Sequence, residues 1–307
     1  MRYVNFGQRD PRFPAEVHFG EVEDASFQGV DFIFVTGSST NHLYSNINTM
    51  YSLILTNSSA SIVFVDFGLD DTALSALIRE MKVMLSIFKR DSHATLYYRK
   101  FNFAHFPDWW SIHDVNIRGG YSWKVISYSD VLDESRRIVI WSDGGNRLPR
   151  RIDRELERVR EYGLFTPYSG GSLQSWMYPT ASSFMVGHHM LRKMMLGKGM
   201  CTGGYLFINY ANDVVMEKII EPLVECAYTR NCISPYGSSR KNHRQDQAIL
   251  TALVHSARIP KSCSPAFNTG VRYRQECTSD EDCKGRRDVF KEMLHVQCVC
   301  LFEDWDG

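Results

Sequence analysis

The chain has 307 residues, of which 44% are hydrophobic, enough to bury a substantial core in one large domain or two small ones. Its 35 lysines and arginines balance 35 aspartates and glutamates, so zero net charge argues against a nucleic-acid binder held by long-range electrostatics. No apolar run reaches the roughly 18 residues that a transmembrane helix needs. We therefore expect membrane contact only through an anchor absent from this sequence.

Composition divides the chain into three parts. Residues 1–30 are polar and aromatic without a clear period, and we expect an extended segment there. Residues 31–260 alternate apolar runs with amphipathic ones, which is typical of an α/β domain in which helices cover both faces of a mixed, mostly parallel sheet. Residues 261–307 are rich in cysteine and charged residues and are expected to form a disulfide-held tail.

Three strands separated by helices are predicted in the first half of the domain, at 31–36, 60–67 and 95–101. The first ends at Gly37-Ser38-Ser39-Thr40. That turn either holds a phosphate or ribose through amides and hydroxyls or simply caps the next helix. The second strand has the same plan, with Asp66 near its end and a glycine in the turn.

A lysine stands in the first turn of the next predicted helix, which opens at about Gly119 and runs to about Leu132. There Lys124 faces the positive end of the helix dipole, against the local electrostatic preference. Two interpretations stay open. Either an anion binds beside this lysine, or it is a solvated surface residue.

The apolar run from Ile138 to Trp141 is too short and too β-branched for a helix and predicts a strand buried on both faces. Asp143 follows it, before two glycines. In open α/β sheets ligands bind beyond the carboxyl ends of the strands, so this carboxylate is well placed to hold a metal or a sugar hydroxyl. The alternative is an ordinary Asp-Gly turn.

Further helices are predicted in the second half, at 150–160, 178–195 and 214–226, the last of them interrupted near Pro222. A strand over 202–209 begins with Gly203 and Gly204, which either leave room for a ligand or mark a bulge. The last predicted helix begins beside Asp246. That residue is either a cap or first-turn acid of the helix or a functional carboxylate.

All eight cysteines lie between Cys201 and Cys300. They include no C-x-x-C pair and no Cys/His quartet at finger spacing, so disulfides are favoured over a structural metal site. Cys226 and Cys232 bracket a short polar loop and are expected to be bonded. Disulfides, with a glycosylation acceptor pattern at Asn57, indicate the secretory pathway, in the Golgi lumen or outside the cell.

Several motifs occur in a fixed order between about Asp31 and Pro260. They are V-F-V-D-F-G-L at 63–69, Y-S-W-K at 121–124, I-W-S-D at 140–143, the segment from Cys226 through C-I-S-P-Y-G-S at 232–238, and H-R-Q-D-Q at 243–247. Together they resemble an animal family of poorly characterised proteins related to nucleotide-diphospho-sugar transferases of the GT-A glycosyltransferase fold. The resemblance implies a GT-A-like domain over residues 31–260.

The resemblance also implies a pocket for a nucleotide-sugar donor. The residues it assigns to donor binding are Thr36, Gly37, Asp66, Lys124, Gly203 and Gly204, with Lys124 approaching the diphosphate. Asp246 and Gln247 match an Asp-Gln pair that such enzymes keep beside the sugar and the reacting centre. We further predict that Asp66, Lys124 and Asp143 lie in one pocket.

Asp143 falls where such enzymes keep an Asp-x-Asp pair that holds a divalent metal, often manganese, against the diphosphate. Here the sequence is Ser142-Asp143-Gly144-Gly145, with one carboxylate where two are usual. A divalent cation prefers several hard oxygen ligands. Either another residue or water completes the shell, or no metal binds.

The implied reaction is displacement of a nucleoside diphosphate from a sugar by a hydroxyl of a glycan or glycoprotein acceptor. Asp246 would remove the acceptor proton in an inverting enzyme or orient the donor in a retaining one. Two other classes stay open: a catalytically inactive relative that binds a sugar or a partner, and a secreted structural protein. Donor binding separates the first two from the third, and transfer separates the first from the second.

Overall fold

The computed structural model describes residues 9–19, 32–57, 60–88, 95–263 and 269–271. Most of the predicted N-terminal segment and most of the cysteine-rich tail lie outside these residues, so both stay predictions. In the described part of the N-terminal segment, His18 forms a parallel bridge with Tyr97. The segment therefore runs along the edge of the sheet there.

Strands and helices alternate in the first half of the domain, as the sequence predicts. The strands are β1 (Phe32–Ser38), β2 (Ser61–Asp66), β3 (Leu96–Lys100), β4 (Ile138–Ser142), β5 (Leu164–Phe165), β6 (Tyr168–Ser172), β7 (Gly199–Cys201) and β8 (Tyr205–Asn209). The helices are α1 (Leu43–Thr56), α2 (Asp71–Phe88), α3 (Ser122–Ser135), α4 (Asp153–Tyr162), α5 (Leu173–Trp176), α6 (Pro179–Gly187), α7 (Asp213–Val215), α8 (Glu221–Tyr228), α9 (Arg230–Ile233) and α10 (Gln245–Ala257).

Six strands form the main sheet, in the order β3-β2-β1-β4-β8-β5. β3, β2, β1 and β4 are parallel, and β8 runs antiparallel to both of its neighbours. The chain moves outward from β1 to β3 and then crosses back to place β4 on the other side of β1. The order therefore reverses between β1 and β4, and such a switch point leaves a crevice outside the carboxyl ends of the two strands.

Alternate residues of the central strands enter two separate apolar cores. Val139 and Trp141 of β4 face a core shared with α3, α8 and α10, whereas Ile138 and Ile140 face one shared with α1, α2 and α4. All four side chains are buried. The predicted strand buried on both faces is confirmed, and so is the mixed, mostly parallel sheet with helices on both sides.

Two features depart from the sequence prediction. The helix predicted over 178–195 is shorter, because α6 ends at Gly187 and the chain turns through His189, whose φ is 59°. The apolar pattern continues beyond the turn and so suggests a longer helix. Leu191 and Met195 contribute to that pattern because they are buried in the core. The two-stranded sheet of β6 and β7 is also absent from the prediction, since Tyr168–Ser172 is glycine-containing and largely exposed.

Two disulfides join parts of the domain. Cys226 and Cys232 are bonded as predicted, with Cα atoms 5.2 Å apart. A second bond links Cys201 of β7 to Cys263, with a Cα distance of 5.0 Å. It fastens the start of the predicted tail to the domain. The remaining four cysteines lie outside the described residues.

Asn57 does not have the exposure expected of a glycan acceptor. It is buried, and its side-chain oxygen accepts a hydrogen bond of 3.4 Å from the backbone N–H of Ile152. The acceptor prediction at this position is therefore not supported, although the two serines after Asn57 lie outside the described residues. None of the helices in the described ranges is long and apolar enough to cross a bilayer.

Candidate functional site

A cavity of about 1590 Å³ opens at the switch point of the sheet. Its wall includes Gly37 in β1, the turn after β2 and Asp143 just beyond β4. The first turns of α3 and α10 and the segment before β8 complete it. Residues far apart in sequence meet here because the parallel strands end at one edge of the sheet and both helices begin there.

A lysine and two aspartates form the centre of this cavity. The Nζ atom of Lys124 lies 3.2 Å from Oδ1 of Asp143 and 3.0 Å from Oδ2 of Asp246. It also donates a hydrogen bond of 3.2 Å to the carbonyl oxygen of Gly203. Of the two interpretations of Lys124, the solvated surface residue is wrong, because only 5% of its side chain is exposed. The anions beside it are carboxylates of the chain itself.

A sharply bent turn delivers Lys124. Gly119 and Tyr121, in the turn before α3, both have left-handed backbone conformations, with φ values of 62° and 58°. A Cβ on Gly119 would meet the carbonyl oxygen of Trp110, so only glycine fits that position. A left-handed tyrosine costs roughly 1 to 2 kcal/mol. Such strain is often kept at functional sites, and here it aims the first turn of α3 into the cavity.

β4 delivers Asp143. Trp141 and Asp143 are two residues apart, so the strand's alternation places both side chains on one face. The indole Nε1 of Trp141 donates a 2.6 Å hydrogen bond to Oδ1 of Asp143. The aspartate side chain stays 45% exposed toward the cavity. Asp143 is thus more than a turn residue, since it is oriented by its own strand and paired with Lys124.

Asp246 is a first-turn acid of α10 rather than its cap, which is Arg244. A second bent backbone precedes it, because Gln245 has φ of 42°. The Gln245 side chain donates a 3.0 Å hydrogen bond to the carbonyl oxygen of Ile117, in the turn before α3. This bond ties together the two turns that present Lys124 and Asp246.

Gly203 and Gly204 let the chain pass directly beneath the two carboxylates. A Cβ on Gly203 would lie 2.9 Å from Oδ2 of Asp246, and one on Gly204 would lie 2.7 Å from Oδ2 of Asp143. Both distances are too short for real contacts. These glycines therefore leave room for the site's own acidic groups, and they do not form a bulge within β8.

Burial and ion pairing act in opposite directions on the charges of this cluster. Burial lowers the pKa of Lys124, but Asp143 and Asp246 raise it further, so it stays above its usual value and the amine is charged. Burial raises the pKa of Asp246 to about 6, against the opposing effect of Lys124. Asp246 is therefore mostly ionised at neutral pH and takes up a proton in mild acid.

His243 is a second buried titratable group, three residues before Asp246. Its Nδ1 accepts from the backbone N–H of Tyr178 at 3.2 Å, and Nε2 lies 3.1 Å from the carbonyl oxygen of Ile233. That pair of contacts fits a neutral ring with its proton on Nε2. Burial lowers the pKa of His243 to about 4, although its bonds to backbone carbonyls raise it.

Two residues predicted for donor binding do not reach the cavity. The hydroxyl of Thr36 is fully buried and donates to the carbonyl oxygen of Ser142 at 2.7 Å. Asp66 is buried too, and its oxygens accept from the N–H groups of Gly68 and Leu69 and from the Tyr98 hydroxyl. Neither side chain faces the cavity, so the prediction of one pocket holds for Lys124 and Asp143 and is wrong for Asp66.

The other predicted residues, Gly37, Gly203, Gly204 and Gln247, do line the cavity. Sequence reasoning missed three cations that also line the cavity: Arg118, Arg240 and Lys241. They lie in two loops, and only the basic character of the 234–242 loop hints at them. Aromatic side chains of Tyr121, Trp123 and Tyr168 also face the cavity.

A divalent cation does not fit this donor set as it stands. The side-chain oxygens available at the centre belong to Asp143 and Asp246, and the ammonium of Lys124 already lies within 3.2 Å of both residues. A metal binding the same carboxylates would face a buried positive charge. Trp141 further occupies Oδ1 of Asp143. We therefore derive no chemical step through a metal.

Solved structures similar to this chain are glycosyltransferases, the class that its motifs resemble. The galactosyltransferase LgtC is 12% identical, with 86% of this chain and 95% of that chain covered and a TM-score of 0.49. Mouse xyloside xylosyltransferase 1 is 12% identical over 86% and 93% of the two chains, with a TM-score of 0.46. The bifunctional glycosyltransferase WbbM is 10% identical, with a TM-score of 0.42. The match covers 76% of this chain and 38% of the WbbM chain.

At such identities and scores the likeness describes the course of the chain and carries no argument about activity. No protein-family model matches the sequence, and no curated protein does. The chemistry of the site must therefore be argued from its own residues.

Proposed function

We propose that the chain is a glycosyltransferase that moves a sugar from a nucleoside-diphosphate donor to a hydroxyl of a glycan or glycoprotein. The observation that carries this proposal is the Asp143–Lys124–Asp246 cluster within a large cavity at the switch point of the sheet. A crevice of this kind is where open α/β sheets bind nucleotide ligands.

Asp246 is proposed as the group beside the reacting carbon. Its pKa of about 6 leaves it mostly ionised at pH 7 yet basic enough to accept a proton from an attacking hydroxyl. Lys124 holds one of its oxygens, which fixes the carboxylate in place. In an inverting enzyme Asp246 then acts as the base, and in a retaining enzyme it orients the donor.

The remaining assignments follow the shape of the cavity. Gly203 and Gly204 leave room for the two carboxylates, which can therefore keep their positions beside the donor sugar, and Gln247 also lines the cavity. The side-chain amide nitrogen of Gln247, Nε2, is buried without a hydrogen-bond partner among the described residues, so it is a donor that a ligand oxygen would satisfy. Gly37 lines the cavity near the end of β1.

A secretory location supports the same proposal. Both disulfides of the described residues join parts of the domain, and structural disulfides persist in oxidising compartments. Glycan and glycoprotein acceptors are found in those compartments. We therefore place the protein in the secretory pathway, in the Golgi lumen or outside the cell.

A catalytically inactive relative is the second candidate, and one observation favours it. Both carboxylates at the centre of the cavity are paired with Lys124. The positive charge of the lysine cancels one of their two negative charges, so the cluster is less negative than two free carboxylates. Such a site could bind a nucleotide sugar, or a glycan, without transferring it. Only an assay of transfer separates the two candidates.

The test is a screen of UDP- and GDP-sugars against the wild type and Asp246→Asn, with release of nucleoside diphosphate and transfer to glycan acceptors as measurements. We expect the substitution to lower transfer by about 10² to 10⁴, the range for losing a general base, while donor binding persists. Folding should be preserved because Asp246 is not the helix cap.

The matched control is Asp213→Asn, which changes another first-turn acid, exposed and outside the cavity. It should leave transfer unchanged. If the wild type binds donors but releases no nucleoside diphosphate with any acceptor, the inactive candidate replaces the enzyme. If it binds no donor and releases no nucleoside diphosphate under any condition, the enzyme fails and the inactive candidate takes its place.

A further inference from the structure

Lys124 has no hydrogen left for a ligand. An ammonium group has three donors, and here they meet Oδ1 of Asp143, Oδ2 of Asp246 and the carbonyl oxygen of Gly203, all at 3.0 to 3.2 Å. A phosphate could bind this lysine only by displacing one of those oxygens. Since the two carboxylates carry more negative charge than the lysine carries positive, the cluster itself does not attract an anion.

The same ammonium stands where a metal would have to stand. A divalent ion shared by Asp143 and Asp246 would lie between their carboxylates, and Nζ of Lys124 lies there instead. The lysine cannot easily withdraw, because only 5% of its side chain is exposed and its Nζ atom also lies 5.2 Å and 5.8 Å from the ring centroids of Tyr121 and Trp141. The fold thus supplies a permanent cation at this position.

Free positive charge lies on another part of the cavity wall. The chain as a whole is neutral, yet the lining contains five lysines and arginines against three aspartates. Arg118, Arg240 and Lys241 belong to this set, and within the described ranges none of them has an ion-pair partner. Lys124, by contrast, is fully paired.

Arg118 is held through both its side chain and its backbone. Its Nη1 atom lies 3.3 Å from Nε2 of His42, and its backbone is held in a left-handed conformation with φ of 44°. The Nε atom of Arg118 is buried and makes no hydrogen bond to the rest of the described structure. A buried guanidinium donor left unsatisfied is costly unless a ligand completes it.

We propose that this cavity binds the diphosphate of its ligand without a divalent cation: Arg118, Arg240 and Lys241 neutralise the phosphates, and Lys124 fills the position between Asp143 and Asp246 that a metal would need. This rests on the proposed function in that the ligand is a nucleoside diphosphate. Lys124 is then a positioning residue, which holds the two carboxylates in place without touching the phosphates.

The test is calorimetric binding of UDP, GDP and inorganic pyrophosphate to the full chain, in EDTA and in manganese. We expect at least one nucleoside diphosphate and pyrophosphate to bind in EDTA, with affinities within about threefold of those in manganese. The double variant Arg240→Ala/Lys241→Ala should bind them about tenfold more weakly or worse, as expected for the loss of charge-assisted contacts. Lys193→Ala, an exposed lysine outside the cavity, is the matched control and should bind like the wild type.

Lys124→Ala tests the other half of the proposal. Removing the ammonium leaves Asp143 and Asp246 free to share a metal, so the variant should gain manganese binding in the absence of nucleotide, which the wild type lacks. Adding Asp143→Ala should remove that gain. Manganese binding can be followed by electron paramagnetic resonance, which needs no activity. If Lys124→Ala does not fold, the EDTA comparison and the double variant still decide.

The proposal is overturned if the wild type binds these probes only with manganese, or if Arg240→Ala/Lys241→Ala binds them as well as the wild type does. Binding and transfer that require manganese would leave the proposed function standing and remove this inference. Binding of pyrophosphate without any nucleoside diphosphate would remove both, because the proposed ligand is a nucleoside diphosphate. No binding of any probe would remove both.

Discussion

Two aspartates end two parallel strands in almost the same local sequence, yet the structure uses them differently. Asp66 closes β2 and Asp143 follows β4, each with glycine soon after. Asp66 is 1% exposed and accepts three hydrogen bonds from its own turn and from Tyr98. Asp143 has a 45% exposed side chain and reaches Lys124 across the cavity.

The difference comes from the position of each strand in the sheet. β2 lies between β1 and β3, and the chain after it folds back onto β1 through a bond from the N–H of Phe67 to the carbonyl oxygen of Ser38. β4 lies at the switch point, where the two neighbouring crossovers diverge and leave the strand end open. An aspartate therefore stabilises a turn at the end of one strand and faces the cavity at the end of the other.

Removing each carboxylate in turn should give the largest difference in stability between the two aspartates. Asp66→Ala leaves two backbone N–H groups and the Tyr98 hydroxyl without their acceptor, so we expect a loss of about 4 kcal/mol in the free energy of unfolding. Asp143→Ala should cost about 1 kcal/mol, because the side chain is half exposed and Lys124 keeps Asp246 as a partner. Urea unfolding measures both losses.

Asp66→Asn is the control, since an amide keeps an oxygen for the turn and should recover much of that stability. The order of the two sites should be reversed when ligand affinity is measured. Asp143→Ala should change the affinity, and Asp66→Asn should not. Equal losses of stability in the two alanine variants would mean that both aspartates are turn residues.

Asp246, the second carboxylate of the cluster, should make the free energy of unfolding depend on pH. Burial raises the pKa of Asp246 from 3.8 to about 6. Between these values the folded chain holds a proton that the unfolded chain has lost, so this group lowers stability as pH rises from about 4 to about 6. The shift corresponds to roughly 3 kcal/mol, constant above the upper value.

Asp246→Asn lacks this contribution, so the difference between wild-type and variant unfolding free energies should change over that pH range. His243 contributes with the opposite sign, because folding lowers its pKa from 6.5 to about 4. Its contribution to the stability of the protein is therefore lost as pH drops through that range. That contribution is common to both proteins and cancels in the difference. A difference that does not vary with pH would show that Asp246 titrates normally.

The two glycines beneath the carboxylates should give the smallest effects. An alanine Cβ at Gly203 meets Oδ2 of Asp246 at 2.9 Å, and Lys124 holds that carboxylate in place. We expect Gly203→Ala to cost about 2 kcal/mol by overpacking. Gly204→Ala approaches Asp143, whose side chain is exposed enough to rotate away, and should cost less than about 1 kcal/mol. Thermal melts of the two variants should differ accordingly, and identical melts would mean that both carboxylates move equally freely.

Much of the fold follows from the sequence because its signals are local. The run Ile138 to Trp141 is too short and too apolar to be anything but a buried strand, and the structure confirms it. The bond between Cys226 and Cys232 is predicted in the same way, since six residues close a loop without help from the rest of the chain. By contrast, β6 depends on pairing with β7 some thirty residues away, and nothing within it signals a strand.

For the site, the sequence by itself determined which residues carry charge at the ends of strands and starts of helices: Asp66, Lys124, Asp143 and Asp246. It could not determine which of them meet, because that depends on the order of the strands and on two bent turns that aim α3 and α10 at one point. Only the tertiary structure decided that Asp66 is buried and hydrogen-bonded within its turn, and that Lys124 is buried between two carboxylates. Distances across the chain set the pairing of charges, and burial sets their pKa values, so neither can be read from neighbouring residues.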